Sequence, residues 1–247
     1  MDPQFRPLFD AATRPYIGAG KYAWHFARGK LRHDPVFFSL LRHGLLPDRG
    51  SLLDLGCGQG VLLSLLKAAK AQYRAGLWPQ GWPAPPLNLD LRGIELREEP
   101  VKAAHCALGG GAQVDQRDLR DFDFRPCSVI VMLDVLHYLG AGEQQRVLEK
   151  AARSLEPAGV LLVREADAGA GFPFQVTKWS ERIAEAGRGR LRNSLHFRSS
   201  REWVAALEKL GLGVRVEPVS GGTPFANVLF VARKGFQPPV ATADKRR

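Results

Sequence analysis

The residues that indicate the fold of this chain are Leu52-Leu53-Asp54-Leu55-Gly56-Cys57-Gly58-Gln59-Gly60. The apolar first half of this stretch belongs to a strand that we place from Ser51 to Leu55, and the glycine-rich turn leads into a helix that begins near Val61. Glycine lacks a Cβ, so this turn can be tight and can let a ligand lie against bare backbone amides. The following helix presents free N–H groups at its amino end. This order predicts the first βα unit of a nucleotide-binding α/β sheet.

The spacing of the glycines, and the acid before them, narrow the class of ligand. Dinucleotide sites carry Gly-x-Gly-x-x-Gly, whereas this turn reads Asp54-x-Gly56-x-Gly58-x-Gly60. A carboxylate at Asp54 would repel a pyrophosphate but suits the ammonium group of an amino acid. The pattern resembles motif I of the class I S-adenosylmethionine-dependent methyltransferases. The alternative is a glycine-rich turn that binds no ligand.

The resemblance implies S-adenosyl-L-methionine as the cofactor and a doubly wound, Rossmann-like α/β sheet of seven strands. The implied strand order is 3-2-1-4-5-7-6, with strand 7 antiparallel. We assign residues 46–235 to this domain and residues 1–45 to an N-terminal helical lid. Residues 74–90 are expected to form an inserted loop, residues 168–198 a substrate cap, and residues 236–247 a disordered basic tail.

Composition limits what the protein can be. The chain has 247 residues, of which 45% are hydrophobic, so it can bury a full core. No apolar run reaches the roughly 18 residues that span a bilayer, and the Met-Asp-Pro start lacks a signal pattern. The three cysteines, Cys57, Cys106 and Cys127, are too few and too scattered for a disulfide framework or a zinc cluster. We therefore predict a cytoplasmic location and no metal site.

The chain is strongly basic, with a net charge of +10 and a sequence pI near 9.9. This charge favours an anionic partner, which would be a nucleic acid, a membrane surface, an acidic carrier protein or an acidic small substrate. The alternative is a dispersed basic surface without a specific partner. The local concentrations of charge, at 188–192 and 245–247, are not interleaved with aromatics as in a single-strand nucleic-acid surface.

The N-terminal segment combines aromatic and basic residues and precedes the sheet. Asp34-Pro35 is typical of a helix start, with Asp34 as the N-cap. In small-molecule methyltransferases of the kind that this chain resembles, such an extension commonly covers the substrate. The side chains that would then contact substrate are Tyr22, Trp24, His25 and Arg28. Alternatively, these residues only dock the segment on the sheet.

An acid is predicted at the end of the second strand. The 74–90 stretch is rich in glycine, proline and tryptophan, which break helices and strands. It is followed by a strand that ends in Glu95-Leu96. In a doubly wound sheet, the acid at this position binds the ribose hydroxyls about 20 residues beyond the glycine motif. Glu95 lies 35 residues beyond Gly60, and the inserted loop accounts for the difference.

The resemblance also assigns the adenine contact to Asp118 and Leu119, with the carboxylate accepting from the exocyclic amine and the leucine covering the ring. Asp115, Asp121 and Asp123 are competing acids nearby. Cys57, inside the glycine turn, is interpreted as a small filler residue.

A continuous apolar run, 128–133, predicts a central strand that is buried on both faces. The string that follows it, Asp134-Val-Leu-His137-Tyr138-Leu139, resembles the segment after strand four of the family. His137 is a candidate general base or a ligand of the cofactor carboxylate or substrate; the alternative is a structural histidine. Glu165, at the end of the fifth strand, is a second candidate base.

Methyl transfer from a sulfonium is an in-line displacement with a neutral leaving group, so positioning is the main task of the enzyme. A neutral alcohol or amine acceptor also needs a base within hydrogen-bond reach. The candidate bases are His137, His25, His196 and Glu165. The predicted cofactor site consists of Asp54, Gly56, Cys57, Gly58, Gly60, Glu95, Leu96, Asp118, Leu119 and Asp134.

The predicted function is methylation of a small organic acceptor, favoured as an aromatic or lipid-like hydroxyl. The chain is loosely similar to bacterial methyltransferases of aryl-polyene and fatty-acid-like biosynthesis, which implies an acceptor that an acyl carrier protein can present. No Asn/Asp-Pro-Pro-Tyr/Phe string follows strand four, which argues against amino-methylation of adenine or glutamine. An RNA methyltransferase, a nicotinamide oxidoreductase and a non-catalytic cofactor-binding protein are the alternatives.

Overall fold

The seven strands of the described chain form one mixed sheet with the order β3-β2-β1-β4-β5-β7-β6. This computed structural model describes residues 3–171, 174–175, 195–219 and 226–235. All pairings are parallel except those of β7, which is antiparallel to both β5 and β6. The predicted strand order and fold class are confirmed. The strands are β1 (Arg49–Leu55), β2 (Asn88–Glu95), β3 (Gln113–Gln116), β4 (Cys127–Leu133), β5 (Leu155–Ala166), β6 (Leu212–Pro218) and β7 (Asn227–Lys234).

Helices cover both faces of the sheet, because alternate strand residues point to opposite sides. Val129 and Val131 of β4 belong to the core on one face, and Ile130 and Met132 belong to the core on the other. All four side chains are fully buried, as the continuous apolar run predicted. The helices are α1 (Arg6–Thr13), α2 (Lys21–His33), α3 (Val36–Arg42), α4 (Val61–Arg74), α5 (Glu98–Leu108), α6 (Ala141–Ser154) and α7 (Ser200–Glu208).

Local sequence signals set several of these boundaries. Ser199 and Glu202 form a capping box at the start of α7. β5 begins at Leu155, which pairs with Cys127, and its ladder with β4 resumes at the pair of Val160 with Val129 after an irregular step. Ala158 adopts φ +61°, a backbone conformation that glycine takes more easily.

The N-terminal segment packs on α4 and reaches the glycine turn. The Ser64 hydroxyl of α4 donates to the Ala12 carbonyl over 2.8 Å, and the Tyr16 hydroxyl donates to the Gln59 carbonyl over 2.8 Å. Burial raises the pKa of the Tyr16 phenol, which therefore stays a donor. These bonds fix the segment beside the turn, and its action as a lid stays a prediction.

The inserted loop lies at the amino ends of β1 and β2, whereas the glycine turn lies at the carboxyl end of β1. The irregular part of the loop is shorter than predicted, at 75–87, because α4 continues to Arg74 and β2 already begins at Asn88. The Leu87 N–H donates to the Asp48 carboxylate, just before β1, over 3.2 Å. The Trp82 ring of the loop contacts Phe5, with centroids 4.6 Å apart. The loop thus contacts the start of the N-terminal segment. Glu95 lies at the carboxyl end of β2, as predicted.

Two expected segments fall wholly or largely outside the described residues: the cap, apart from 168–171, 174–175 and 195–198, and the basic tail 236–247. Within the described ranges, every helix is too short or too polar to cross a bilayer. The cytoplasmic location stays a prediction.

Candidate functional site

A cavity of about 830 Å³ opens at the carboxyl ends of the central parallel strands, where such sheets bind ligands. The strands and the segments that follow them bring together residues that are far apart in the sequence. Ten of the predicted site residues line this cavity: Asp54, Gly56, Cys57, Gly58, Glu95, Leu96, Asp118, Leu119, Asp134 and His196.

The glycine turn is held by its backbone and leaves one open position. The N–H groups of Gly56 and Cys57 both donate to the Ile94 carbonyl, over 2.9 and 3.0 Å. All three glycines have positive φ, but their surroundings differ. A Cβ at Gly56 would lie 2.6 Å from a Val135 methyl group, and one at Gly60 would lie 2.9 Å from a Leu108 methyl group. Gly60 does not line the cavity; it permits close packing of the turn against α5.

Gly58 is the glycine whose missing side chain leaves space for a ligand, because a Cβ there would meet no protein atom within 4 Å. We expect Gly58→Ala to lower the affinity for S-adenosylhomocysteine at least about 10-fold, measured by calorimetry, since the methyl group would occupy the cavity. The cost in unfolding free energy should be only about 1–2 kcal/mol, for the left-handed backbone at φ +55°.

Gly76→Ala is the matched control for this substitution. Gly76 has φ +73°, equally open surroundings and a position outside the cavity lining. The control should show the same small loss of stability and unchanged affinity. Equal affinities of the wild type and Gly58→Ala would contradict a ligand at this turn.

Two buried carboxylates, those of Asp54 and Glu95, lie next to the glycine turn. Burial, together with the nearby charge of Glu95, raises the pKa of Asp54 to about 7. The Glu95 carboxylate accepts from the Gly58 N–H over 3.0 Å and from the Arg97 backbone and side chain over 3.0 and 2.9 Å. Glu95 thus joins the end of β2 to the glycine turn, and a ligand hydroxyl at this carboxylate has to replace part of its contact with Arg97.

Asp118 and Leu119 line the cavity just after the end of β3. Asp118 pairs with the Arg120 side chain, with the shortest contact at 2.6 Å, and this bond lowers the pKa of the Asp118 carboxyl. The carboxylate is therefore ionised and able to accept a hydrogen bond from an amine.

Cys57 packs against the second strand, since its sulfur would lie 2.7 Å from a Cβ at Gly93. Burial also raises the pKa of the Cys57 thiol, which suits the predicted filler role.

Four charged side chains connect the end of the sheet to the N-terminal helices. Arg164 is 1% exposed and binds Asp134 through two nitrogens, with Nε to Oδ1 at 2.9 Å. Its third nitrogen binds Asp34, which lies between α2 and α3. Lys30 lies 3.3 Å from the Asp34 carboxylate and 3.6 Å from that of Asp134. Burial opposes ionisation of Asp134, but Arg164 and Lys30 outweigh it and lower the pKa of this carboxyl.

The candidate bases fall into three different places. His137 and Glu165 form a buried pair, with Nδ1 and Oε2 2.7 Å apart, and neither lines the cavity in the described chain. Glu165 also accepts from the Leu136 N–H over 2.7 Å. His196 does line the cavity, and its backbone N–H donates to the His137 backbone carbonyl over 2.8 Å. His25 is exposed on α2, beside Trp24 and outside the cavity lining.

The N-terminal side chains that line the cavity are Phe26, Lys30 and Phe37, which the sequence analysis did not select. Of the side chains proposed instead, Arg28 turns to Asp10 over 3.3 Å, and its guanidinium lies over the rings of Phe9 and Trp24. The spacing of four residues between Phe26 and Lys30 was the available signal, because residues i and i+4 share one face of a helix.

A comparison with known families places the geometry in context. A family model described as "Methyltransferase domain" matches residues 23–216. Among curated proteins, the chain is 27% identical over 132 residues to the carboxy-S-adenosyl-L-methionine synthase of Chromohalobacter salexigens. The match covers 49% of this chain and 44% of the synthase, so the chain spans less than half the length of this relative.

Solved structures with the same fold include an O-methyltransferase family protein from Burkholderia thailandensis, with a TM-score of 0.62 and 18% identity over 84% of this chain and 57% of that one. Human N-acetylserotonin methyltransferase, solved in complex with SAM, has a TM-score of 0.59 and 16% identity, over 95% of this chain and 60% of its own. At these identities the likeness shows a shared fold.

Proposed function

We propose that this chain, which belongs to the class I S-adenosylmethionine-dependent methyltransferase family, methylates a hydroxyl group of a small aromatic or lipid-like acceptor. Family membership follows from the match over residues 23–216 and makes S-adenosylmethionine the cofactor. The observation that supports the acceptor class is the aromatic part of the cavity lining, to which α2 contributes Phe26, α3 contributes Phe37 and the segment after β4 contributes Tyr138. An aromatic or aliphatic body fits such a wall better than a polar one.

The residues present fit the cofactor. Gly58 leaves open space beside the turn, and Asp54 and Glu95 supply two buried carboxylates within the same cavity. We assign the amino-acid ammonium to Asp54, the ribose hydroxyls to Glu95, and the adenine amine to Asp118 with Leu119 beside the ring. Leu96 is half-exposed at the rim next to Glu95 and would border the ribose.

When bound, the cofactor supplies an electrophilic methyl group on a sulfonium. The protein must then orient the acceptor, exclude water and accept the hydroxyl proton. We assign the proton to His196, the one candidate base that lines the cavity in the described chain. His137 and Glu165 are positioning residues in this proposal, because their contact holds the backbone of Leu136 and His137. The backbone carbonyl of His137 in turn accepts from the backbone N–H of His196.

Calorimetry with S-adenosylhomocysteine is the first test, with NAD as the control ligand and Asp54→Ala as the control protein. Micromolar binding of S-adenosylhomocysteine alone, lost in the variant, is the expected result. Phenols, lipid-like alcohols, phenols on an acyl carrier protein, and RNA are then offered with labelled methyl donor. Labelling of RNA alone, with an affinity that falls steeply with salt, would replace this proposal by the RNA alternative.

Substitution of the two histidines separates their roles. We expect His196→Ala to lower kcat by about 10²- to 10⁴-fold, the usual contribution of a general base, with unchanged affinity for S-adenosylhomocysteine. His137→Ala should lower the melting temperature as well, since it leaves Glu165 buried without its ring partner. Full activity of His196→Ala would exclude His196 as the base. Unchanged turnover and cofactor affinity of His137→Ala would exclude His137 as a positioning residue and as a base or cofactor ligand.

A further inference from the structure

One face of α2 is basic and unbalanced by acid. The helix contains Lys21, Arg28, Lys30, Arg32 and two histidines, and it contains no aspartate or glutamate. Lys21, His25, Arg32 and His33 are exposed. A basic, amphipathic helix of this type is typical of a membrane surface or of an acidic partner.

The acids that precede and follow this helix do not reach its outer face. Asp10 and Asp34 are the only acids between residues 3 and 45. Asp10 pairs with Arg6 and Arg28, at 3.6 and 3.3 Å, and Asp34 turns inward to Arg164. The exposed cations of the face therefore have no carboxylate from their own segment to compensate them.

The two most exposed large apolar side chains of the described residues lie in α2 and just before it. Tyr22 is 78% exposed and Ile17, just before the helix, is 61% exposed. The exposed cation Arg14 lies three residues before Ile17, and the exposed cation Lys21 directly precedes Tyr22. Apolar and aromatic tips set among cations suit the headgroup layer of a bilayer, where rings and aliphatic chains enter the boundary and ammonium groups meet phosphates.

The face also borders the cavity. The Tyr22 ring lies 6.3 Å from the ring of Phe26, and Phe26 and Lys30 line the cavity. An apolar acceptor dissolved in a bilayer would therefore enter the cavity beside the docked face without crossing water. This link to the acceptor rests on the proposed function, whereas the docking itself does not.

We infer that this face, formed by Arg14, Ile17, Lys21, Tyr22, His25 and Arg32, docks the protein on an anionic lipid surface. The exposed apolar side chains favour lipid over an acidic protein or RNA, because a purely electrostatic partner would not require them. Binding is expected to be reversible and sensitive to salt.

The test is co-sedimentation of the full chain with large vesicles of phosphatidylcholine, either pure or with about a third of phosphatidylglycerol. We expect binding to the mixed vesicles only. Lys21→Glu/Arg32→Glu should weaken it at least about 10-fold, since each cation near an anionic surface contributes to binding and each substitution also adds a repelled carboxylate. Ile17→Ser should weaken it by a smaller factor, which a charge-only interaction would not predict.

The matched control is Arg74→Glu/Leu77→Ser, which removes an exposed cation and a 56% exposed leucine at and just beyond the carboxyl end of α4. It should bind the mixed vesicles like the wild type, and all variants should keep the wild-type affinity for S-adenosylhomocysteine, which shows that they are folded. Equal binding to both vesicle types, equal loss in the control, or capture of RNA or an acidic carrier protein without vesicle binding would overturn the inference. Vesicle binding without methylation of any acceptor would overturn the proposed function alone.

Discussion

Asp54→Asn should abolish measurable binding of S-adenosylhomocysteine and, at the same time, stabilise the protein at neutral pH. Both effects have one cause. Asp54 is buried in the cavity wall with Glu95 nearby, so its carboxylate is held in an unfavourable place for a charge. In our proposal that charge meets the ammonium group of the cofactor, and the ligand-free protein carries it at a cost in stability.

The pH dependence follows from the raised pKa. The pKa of Asp54 is about 7 in the folded protein, against an ordinary value of 3.8, so the folded state holds the proton more tightly than the unfolded chain. Below about pH 4 both states are protonated and Asp54 costs nothing. As the pH rises from about 4 to 7, the folded protein loses roughly 4 kcal/mol of stability, and it does not regain it above pH 7.

Urea unfolding of the wild type and Asp54→Asn at several pH values measures this difference. The variant should be more stable at pH 8, and the two proteins should converge near pH 4. Asp90→Asn is the matched control, because Asp90 is exposed on the neighbouring strand β2. It should change neither the unfolding free energy nor the ligand affinity. A variant that is less stable than the wild type at pH 8 would show that the Asp54 charge is compensated within the fold.

Arg164→Met should lower the free energy of unfolding by about 3–5 kcal/mol at pH 7, the usual cost of removing one partner from a buried ion pair. The guanidinium is 1% exposed and uses all three of its nitrogens, two on Asp134 and one on Asp34. Its removal leaves the two carboxylates beside Lys30, whose single charge lies 3.3 and 3.6 Å from them. The loss should also loosen the N-terminal helices from the sheet, because Asp34 lies between α2 and α3.

The difference in unfolding free energy between the wild type and Arg164→Met should become smaller at acidic pH. The pKa of Asp134 is lowered in the folded protein, so its pairing contributes stability above the ordinary pKa of a carboxyl and loses it as the pH falls through the lowered value. The triple variant Arg164→Met/Asp34→Asn/Asp134→Asn removes all three charges and should recover most of the stability at pH 7.

Arg120→Met is the control for the arginine substitution itself. Arg120 pairs with Asp118 at 2.6 Å, but its side chain is 47% exposed, and such surface pairs contribute about 0–1 kcal/mol. Equal losses for the two arginines, or no recovery in the triple variant, would contradict an electrostatic role for Arg164.

Local patterns in the sequence were sufficient for the sheet and for the predicted cofactor side of the cavity. The Asp54-to-Gly60 turn marks the first strand, the apolar run before Asp134 marks the central one, and the strand order follows from the family resemblance. Glu95 and Asp118 reach the cavity because parallel strands present their carboxyl ends at one edge, a consequence of topology that needs no knowledge of side-chain packing.

The acceptor side was decided by tertiary structure. Phe26 and Lys30 lie four residues apart along α2, but only the packing of this helix against α1, α4 and the segment before it determines that they line the cavity while Arg28 turns to Asp10. His137 was the more prominent histidine in the sequence, yet its ring turns to Glu165 while His196 lines the cavity. Helical period fixes which side chains share a face; which face is buried depends on the surfaces that meet it, and these come from distant parts of the chain.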